Sequence, residues 1–194
     1  MRNFRFDVAD RAHSETLMIR EKIHSLPWFV GGPTALFAAT ILAWQYTHGG
    51  VVSHHFLDRG DMPVISNWWG LIVLPGLGWF AGWFAGRRAA MDPTALPRAF
   101  AAALGAALVG GAMSITFMTG HGQATGYLFF AALASGLVLP IYRAEYVFGF
   151  ALGMVFVFGM VLPTIVALIG VAISVVAHFL IRPAFGRIAR RAGA

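Results

Sequence analysis

The chain has no cysteine, a single lysine and few charges of either sign, with 8 acidic and 14 basic residues among 194. Without cysteine there are no disulfides, thiolate metal sites, iron–sulfur clusters or thiol nucleophiles. Lys22 precedes the first apolar run, so no Schiff base can form on a lysine within a membrane span. Also missing are a phosphate-binding glycine loop, a dinucleotide fingerprint and a pair of aspartates inside an apolar run, which removes the parts of nucleotide chemistry and of intramembrane aspartyl proteolysis. A bis-histidine haem would have only His48 and His121 to offer. The sequence therefore leans away from an enzyme.

What is abundant is apolar surface: 58% of residues are hydrophobic, only 11% are charged, and the mean hydropathy is +0.72. Ordinary soluble domains are roughly 45–50% apolar and about 25% charged, so lipid must solvate the excess. A span needs about 20 apolar residues. Stretches of that length run from Trp28 to Thr47, Asn67 to Gly86, Arg98 to Thr119 and Gln123 to Tyr142, followed by an unbroken apolar run from Ala144 to Ile181. As one helix that run would be on the order of 55 Å long, so it is split at Pro163 into two spans. The period-2 alternation of a membrane barrel is absent.

Arginine placement supports the split. With six spans, the N-terminal segment, the link with Arg87, Arg88 and Arg98, the turn at Arg143 and the tail with Arg182, Arg187, Arg190 and Arg191 share one side, and only Arg59 lies opposite. Basic residues favour the cytoplasmic side, so both termini are expected there. Trp44, Tyr46, Trp68 and Trp69 mark the outer interface, and Trp28 and Trp83 the inner. The expected fold is an all-α membrane protein. Residues 1–27 form a cytoplasmic segment with a short interfacial helix capped by Ser14, residues 28–181 a bundle of six transmembrane helices, and residues 182–194 a basic tail. Arginine far outnumbers lysine and alanine is abundant, which suits a cell's inner (plasma) membrane. Basic residues that sit between apolar runs do not make a nucleic-acid surface; anionic headgroups at the inner face are the expected partners.

Several features could carry function. Gly78, Gly82 and Gly86, and again Gly149 and Gly153, repeat at four-residue spacing, which lets helix backbones approach within the monomer or between copies. Pro75 and Pro163 are candidate hinges. The outer loop gathers His48, His54, His55, Asp58 and Asp61, with His121 on the same side. If residues 53–58 were helical, His54 and Asp58 would share a face, and imidazole with carboxylate suits a divalent metal or a proton-sensing role; a solvated loop is the alternative. Arg143 and Glu145 fit as helix-end charges. Gln45 and His178 are the notable polar groups within spans, and Thr40, Ser114, Thr116, Thr119, Thr125 and Ser135 could line a path. These features point to a small homo-oligomeric transporter or channel. The alternatives are a non-catalytic membrane subunit or scaffold of a larger complex, and a metal-dependent enzyme of the outer loop.

Overall fold

The computed structural model describes residues 2–51, 53–55 and 64–184, with side-chain surroundings at 24–51, 53 and 66–184. Six α-helices are joined in order: α1 (Arg2–Thr47), α2 (Gly70–Ala89), α3 (Ala95–Met118), α4 (Gly122–Ser135), α5 (Ala144–Phe158) and α6 (Val161–Val175), the last continued by a π-helical turn over Val176–Ile181. Between α1 and α2 lie β1 (Ser53–His55) and β2 (Val64–Ser66), paired antiparallel with His54 opposite Ile65. Among the described residues four stretches are long and apolar enough to cross a membrane: His24–Thr47, Asn67–Ala89, Ala95–Met118 and Val161–Ala184. Large apolar side chains such as Trp28, Leu36, Ile72, Phe156 and Phe179 face outward, as a multi-pass membrane protein requires and a water-soluble one does not tolerate.

α1 and α2 are antiparallel. Gly31 of α1 meets Pro75 and Trp79, while Gly78 meets Thr34, and Gly82 meets Leu26 and Pro27. α3 and α5 instead run parallel, with Gly149 against Ala103, Gly153 against Ala107, and Phe117 against Phe158. A parallel pair needs a return segment between its members, and α4 with residues 136–142 supplies it. α6 then doubles back beside α5, bringing His178 and Phe179 to Tyr142 just ahead of α5. One core cluster joins α1, α2 and α5 around Ala38, Leu74, Phe148 and Val155. A second, built on Met113, Phe150 and Met154, reaches α4 and α6.

Three boundaries differ from the sequence reading. The N-terminal segment is not a separate helix capped by Ser14, because α1 runs unbroken for 46 residues with Pro27 and Pro33 inside it. A serine cap is worth only about 1 kcal/mol, too little to stop a run of good helix formers, and prolines are tolerated in membrane helices. α4 stops at Ser135 instead of continuing to Tyr142. Its last carbonyls accept from the amides of residues 136–139 in a tightened turn, and the carbonyls of that turn are taken from outside: Ser174 of α6 donates to Leu139 O at 3.0 Å, and Arg182 to Leu137 O and Val138 O at 3.0 and 2.9 Å.

The α5–α6 turn falls at Gly159 and Met160, and Pro163 lies buried in the first turn of α6. Proline is accommodated there because that turn's N–H groups lack helical partners anyway. Gly159 adopts φ 71° and ψ −166°, a region almost closed to residues with a Cβ. Gly159→Ala is expected to lower stability by about 2 kcal/mol, read by thermal unfolding in detergent, while Pro163→Ala changes it less.

Candidate functional site

The four helices α3 to α6 line an open-sided cavity of about 740 Å³. It exists because small residues of α3 (Ala102, Gly105 and Ala106) face α4 across a gap that Ala132, and Ala167 and Gly170 of α6, do not fill. α4 has no fully buried residue, so it forms a wall without being drawn into the core. Phe129, Phe150 and Val166 line the deeper part, and Arg98, Arg143, Glu145 and Tyr146 stand at the end where α3 and α5 begin. The apolar depth along α3, from Arg98 to Val109, is 11 residues or about 16 Å.

Charge at that end is mostly cancelled. Glu145, only 3% exposed, accepts two hydrogen bonds from the Arg88 guanidinium, at 2.9 and 2.7 Å, while Arg88 Nε donates to Phe84 O at 3.2 Å. Arg98 pairs with Asp92 at 3.0 Å on an exposed surface, and Arg87 lies over the Trp83 ring at 4.8 Å. Arg143, the residue capping α5, makes no side-chain cap bond and no ion pair among the described residues.

Asp92 organises the α2–α3 turn. Its carboxylate accepts from Thr94 Oγ1 at 2.6 Å and Thr94 N at 2.9 Å. Those bonds, with a smaller contribution from Arg98, hold its carboxyl below the ordinary carboxylate range. A lowered folded-state pKa gives stability that is present above the unfolded value and lost as pH falls. The difference in melting temperature between the parent and Asp92→Asn is therefore expected to be constant above about pH 5 and to shrink below about pH 4.

The other sequence-level candidates are dispersed. His48 bonds through Nδ1 to Trp44 O at 2.9 Å and Thr47 Oγ1 at 3.0 Å and stacks on Trp44. His121 contacts Thr119 Oγ1 at 2.9 Å. His54 and His55 lie in extended backbone, so the helical spacing considered for His54 with Asp58 does not apply; Asp58 and Asp61 lie outside the described residues. Among the described residues no three His, Asp or Glu side chains converge as metal ligands would.

Gln45 Oε1 accepts from Asn67 Nδ2 at 3.4 Å, a buried contact between α1 and the start of α2. His178 Nδ1 bonds within its own helix to Ser174 O at 2.9 Å. The glycines are used inside the chain: Gly78 and Gly82 against α1, Gly149 and Gly153 against α3, with Gly86 buried in the last turn of α2. α2 continues through Pro75.

The hydroxyls expected from the sequence to line a polar path are engaged as well. Thr40 donates to Leu36 O, Ser114 to Gly153 O, Thr119 to Ile115 O and Ser135 to Ala132 O, while Thr116 meets Thr125 at 2.9 Å. Among the described residues no buried polar side-chain atom lacks a partner. Sequence reasoning missed Arg88 as the partner of Glu145, and Arg98 and Tyr146 as cavity residues. The available signal was an acid at a helix start in a region otherwise rich in arginine. No protein family, curated protein or solved structure matches this chain.

Proposed function

We propose that the protein is a small transporter of the inner (plasma) membrane that carries a solute with a substantial apolar body through the cavity between α3 and α6. The chain crosses six times with both termini cytoplasmic, so the arginine-rich mouth faces the cytoplasm. The observation that carries the reading is the cavity itself: about 740 Å³, open on one side, lined by small and apolar side chains and charged at one end. Ligand pockets are commonly 300–1,000 Å³ in order of magnitude, mostly apolar, with a few placed polar groups. An ion or a strongly polar solute would need a row of oxygen ligands along the path, whereas Ser135 supplies the single serine or threonine hydroxyl among the described residues lining the cavity. The parallel course of α3 and α5 supports an even number of crossings, because α4, though only 14 residues long, must bring the chain back.

Two experiments test this. The absence of native cysteine makes every introduced thiol an unambiguous reporter. In intact spheroplasts a membrane-impermeant maleimide is expected to label His121→Cys and to spare Ser14→Cys and Gly193→Cys; labelling at 193 would overturn the topology. In proteoliposomes, transbilayer movement of a fluorescent acyl lipid should depend on the protein and stop when Gly105→Phe fills the cavity. Potassium flux without lipid movement would instead make it a channel.

One observation favours the alternative of a membrane subunit. The 46-residue α1 exceeds its 24-residue membrane stretch by 22 residues, an extension on which a second polypeptide could dock. Co-purification in fixed ratio, lost on deleting residues 2–20, would support that role.

A further inference from the structure

We propose that the cavity takes a membrane lipid with an anionic phosphate headgroup, its acyl chain against α3, α4 and α6 and its headgroup at Arg143. This rests on the cavity being the solute site. Glu145, the one acid lining the cavity among the described residues, is neutralised by two hydrogen bonds from Arg88 and does not repel an anion. Arg98 shares its charge with Asp92, and Arg182, which does not line the cavity, turns Nη2 to the carbonyls of Leu137 and Val138. Arg143 lines the same cavity without an acidic partner among the described residues.

A guanidinium at the edge of an apolar chamber favours an acceptor that can take two parallel hydrogen bonds, and phosphate does so. Low surrounding polarity strengthens that contact. Tyr146, which also lines the cavity, adds a phenolic donor. The rest of the ligand is dictated by what is missing: beyond the mouth the walls offer Ala102, Gly105, Val109, Phe129 and Val166, which make no hydrogen bonds. A polar body would lose its hydration there without replacement, whereas an acyl chain loses nothing. With Arg143 at the opening and no acid paired to it among the described residues, a zwitterionic headgroup brings its cation beside an uncompensated guanidinium and is disfavoured relative to a net anion.

Native mass spectrometry of the purified full-length protein, after equilibration with equimolar phosphatidylglycerol and phosphatidylcholine of matched chains, decides the matter. Retention of phosphatidylglycerol is expected to exceed that of phosphatidylcholine by about tenfold, because both phosphates can meet Arg143 but choline holds a second cation beside it. Arg143→Gln should bring the two lipids level, and Arg143→Lys should keep part of the preference, which separates lost recognition from lost folding. Gly105→Phe, at a position where a Cβ meets nothing within 4 Å, should remove both lipids.

If Gly105→Phe leaves retention unchanged, the cavity is not the site and the function proposed above fails with it. If Gly105→Phe removes both lipids but Arg143→Gln leaves their ratio intact, the cavity stands and the headgroup assignment is wrong. Displacement of phosphatidylglycerol by millimolar inorganic phosphate would show an anion site that needs no acyl chain, and would overturn the lipid.

Discussion

Replacing Arg88 with methionine is expected to destabilise the protein by about 3 kcal/mol, measured as a shift in the SDS or thermal unfolding transition in mild detergent. Arg88 and Glu145 bond in parallel across 57 residues of sequence, and their side chains are 27% and 4% exposed. Removing the cation leaves a carboxylate that is only 3% exposed without the two bonds that compensate its burial. The estimate sits at the lower end for a broken buried pair because the guanidinium is partly exposed. The paired test is Arg88→Met with Glu145→Leu. Removing both charges should recover most of the loss, to within about 1 kcal/mol of the parent, since a buried ion pair adds little over apolar side chains of similar volume. Glu145→Gln alone should fall between, as its amide oxygen still accepts one bond. If the double variant is as unstable as Arg88→Met, the pair does not act as a unit and the cost lies in packing.

The second large effect belongs to the α3–α5 contact. A methyl added at Gly149 would meet the Ala103 backbone, including its carbonyl oxygen, and one at Gly153 the Ala107 carbonyl and the Gly111 amide. Backbone atoms cannot rotate aside as a side chain can, so the two helices must separate along their shared length. Gly149→Ala and Gly153→Ala are each expected to cost about 3 kcal/mol. The double variant should cost less than the sum, because the first methyl has already opened the seam. Gly126→Ala in α4 is the control: nothing lies within 4 Å of its Cβ position, so the gain in helix propensity should leave stability equal or raise it by up to about 1 kcal/mol. A neutral result at Gly149 would mean that the helices are not in such close contact.

Much of this architecture is written locally. The end of the first span at Thr47, the start of the second at Asn67 and the end of the third near Met118 follow from where apolar residues give way to polar ones. The break in the long apolar run was also legible, since length forbids a single crossing. Its position was not: Pro163 looks like a terminator, yet the chain turns at Gly159, whose backbone alone accepts the geometry. The end of α4 was hidden for another reason. The groups that bond the carbonyls of the turn after it, Ser174 and Arg182, lie 35 to 45 residues further along the chain, and no window around residue 135 contains them.

The cavity was harder still. Arg143 and Glu145 stand two residues apart and look alike as helix-end charges. Their environments separate them, for Glu145 meets Arg88 from α2 and Arg143 meets no acid among the described residues. Pairing at a separation of 57 residues leaves no periodic trace. The histidines and aspartates of the outer loop, by contrast, attract attention by proximity in sequence, yet His48 and His121 each bond within a few residues of themselves.

α4 contributes no residue to the fully buried set, although it supplies one side of the chamber. A helix so lightly held can swing outward while the seam between α3 and α5 stays shut. For the transporter proposed above, entry and exit would then need no rearrangement of the load-carrying helices: a guest would slide in sideways from the surrounding hydrocarbon, as through a door hung on the edge of the bundle, and the aqueous phases would never be connected.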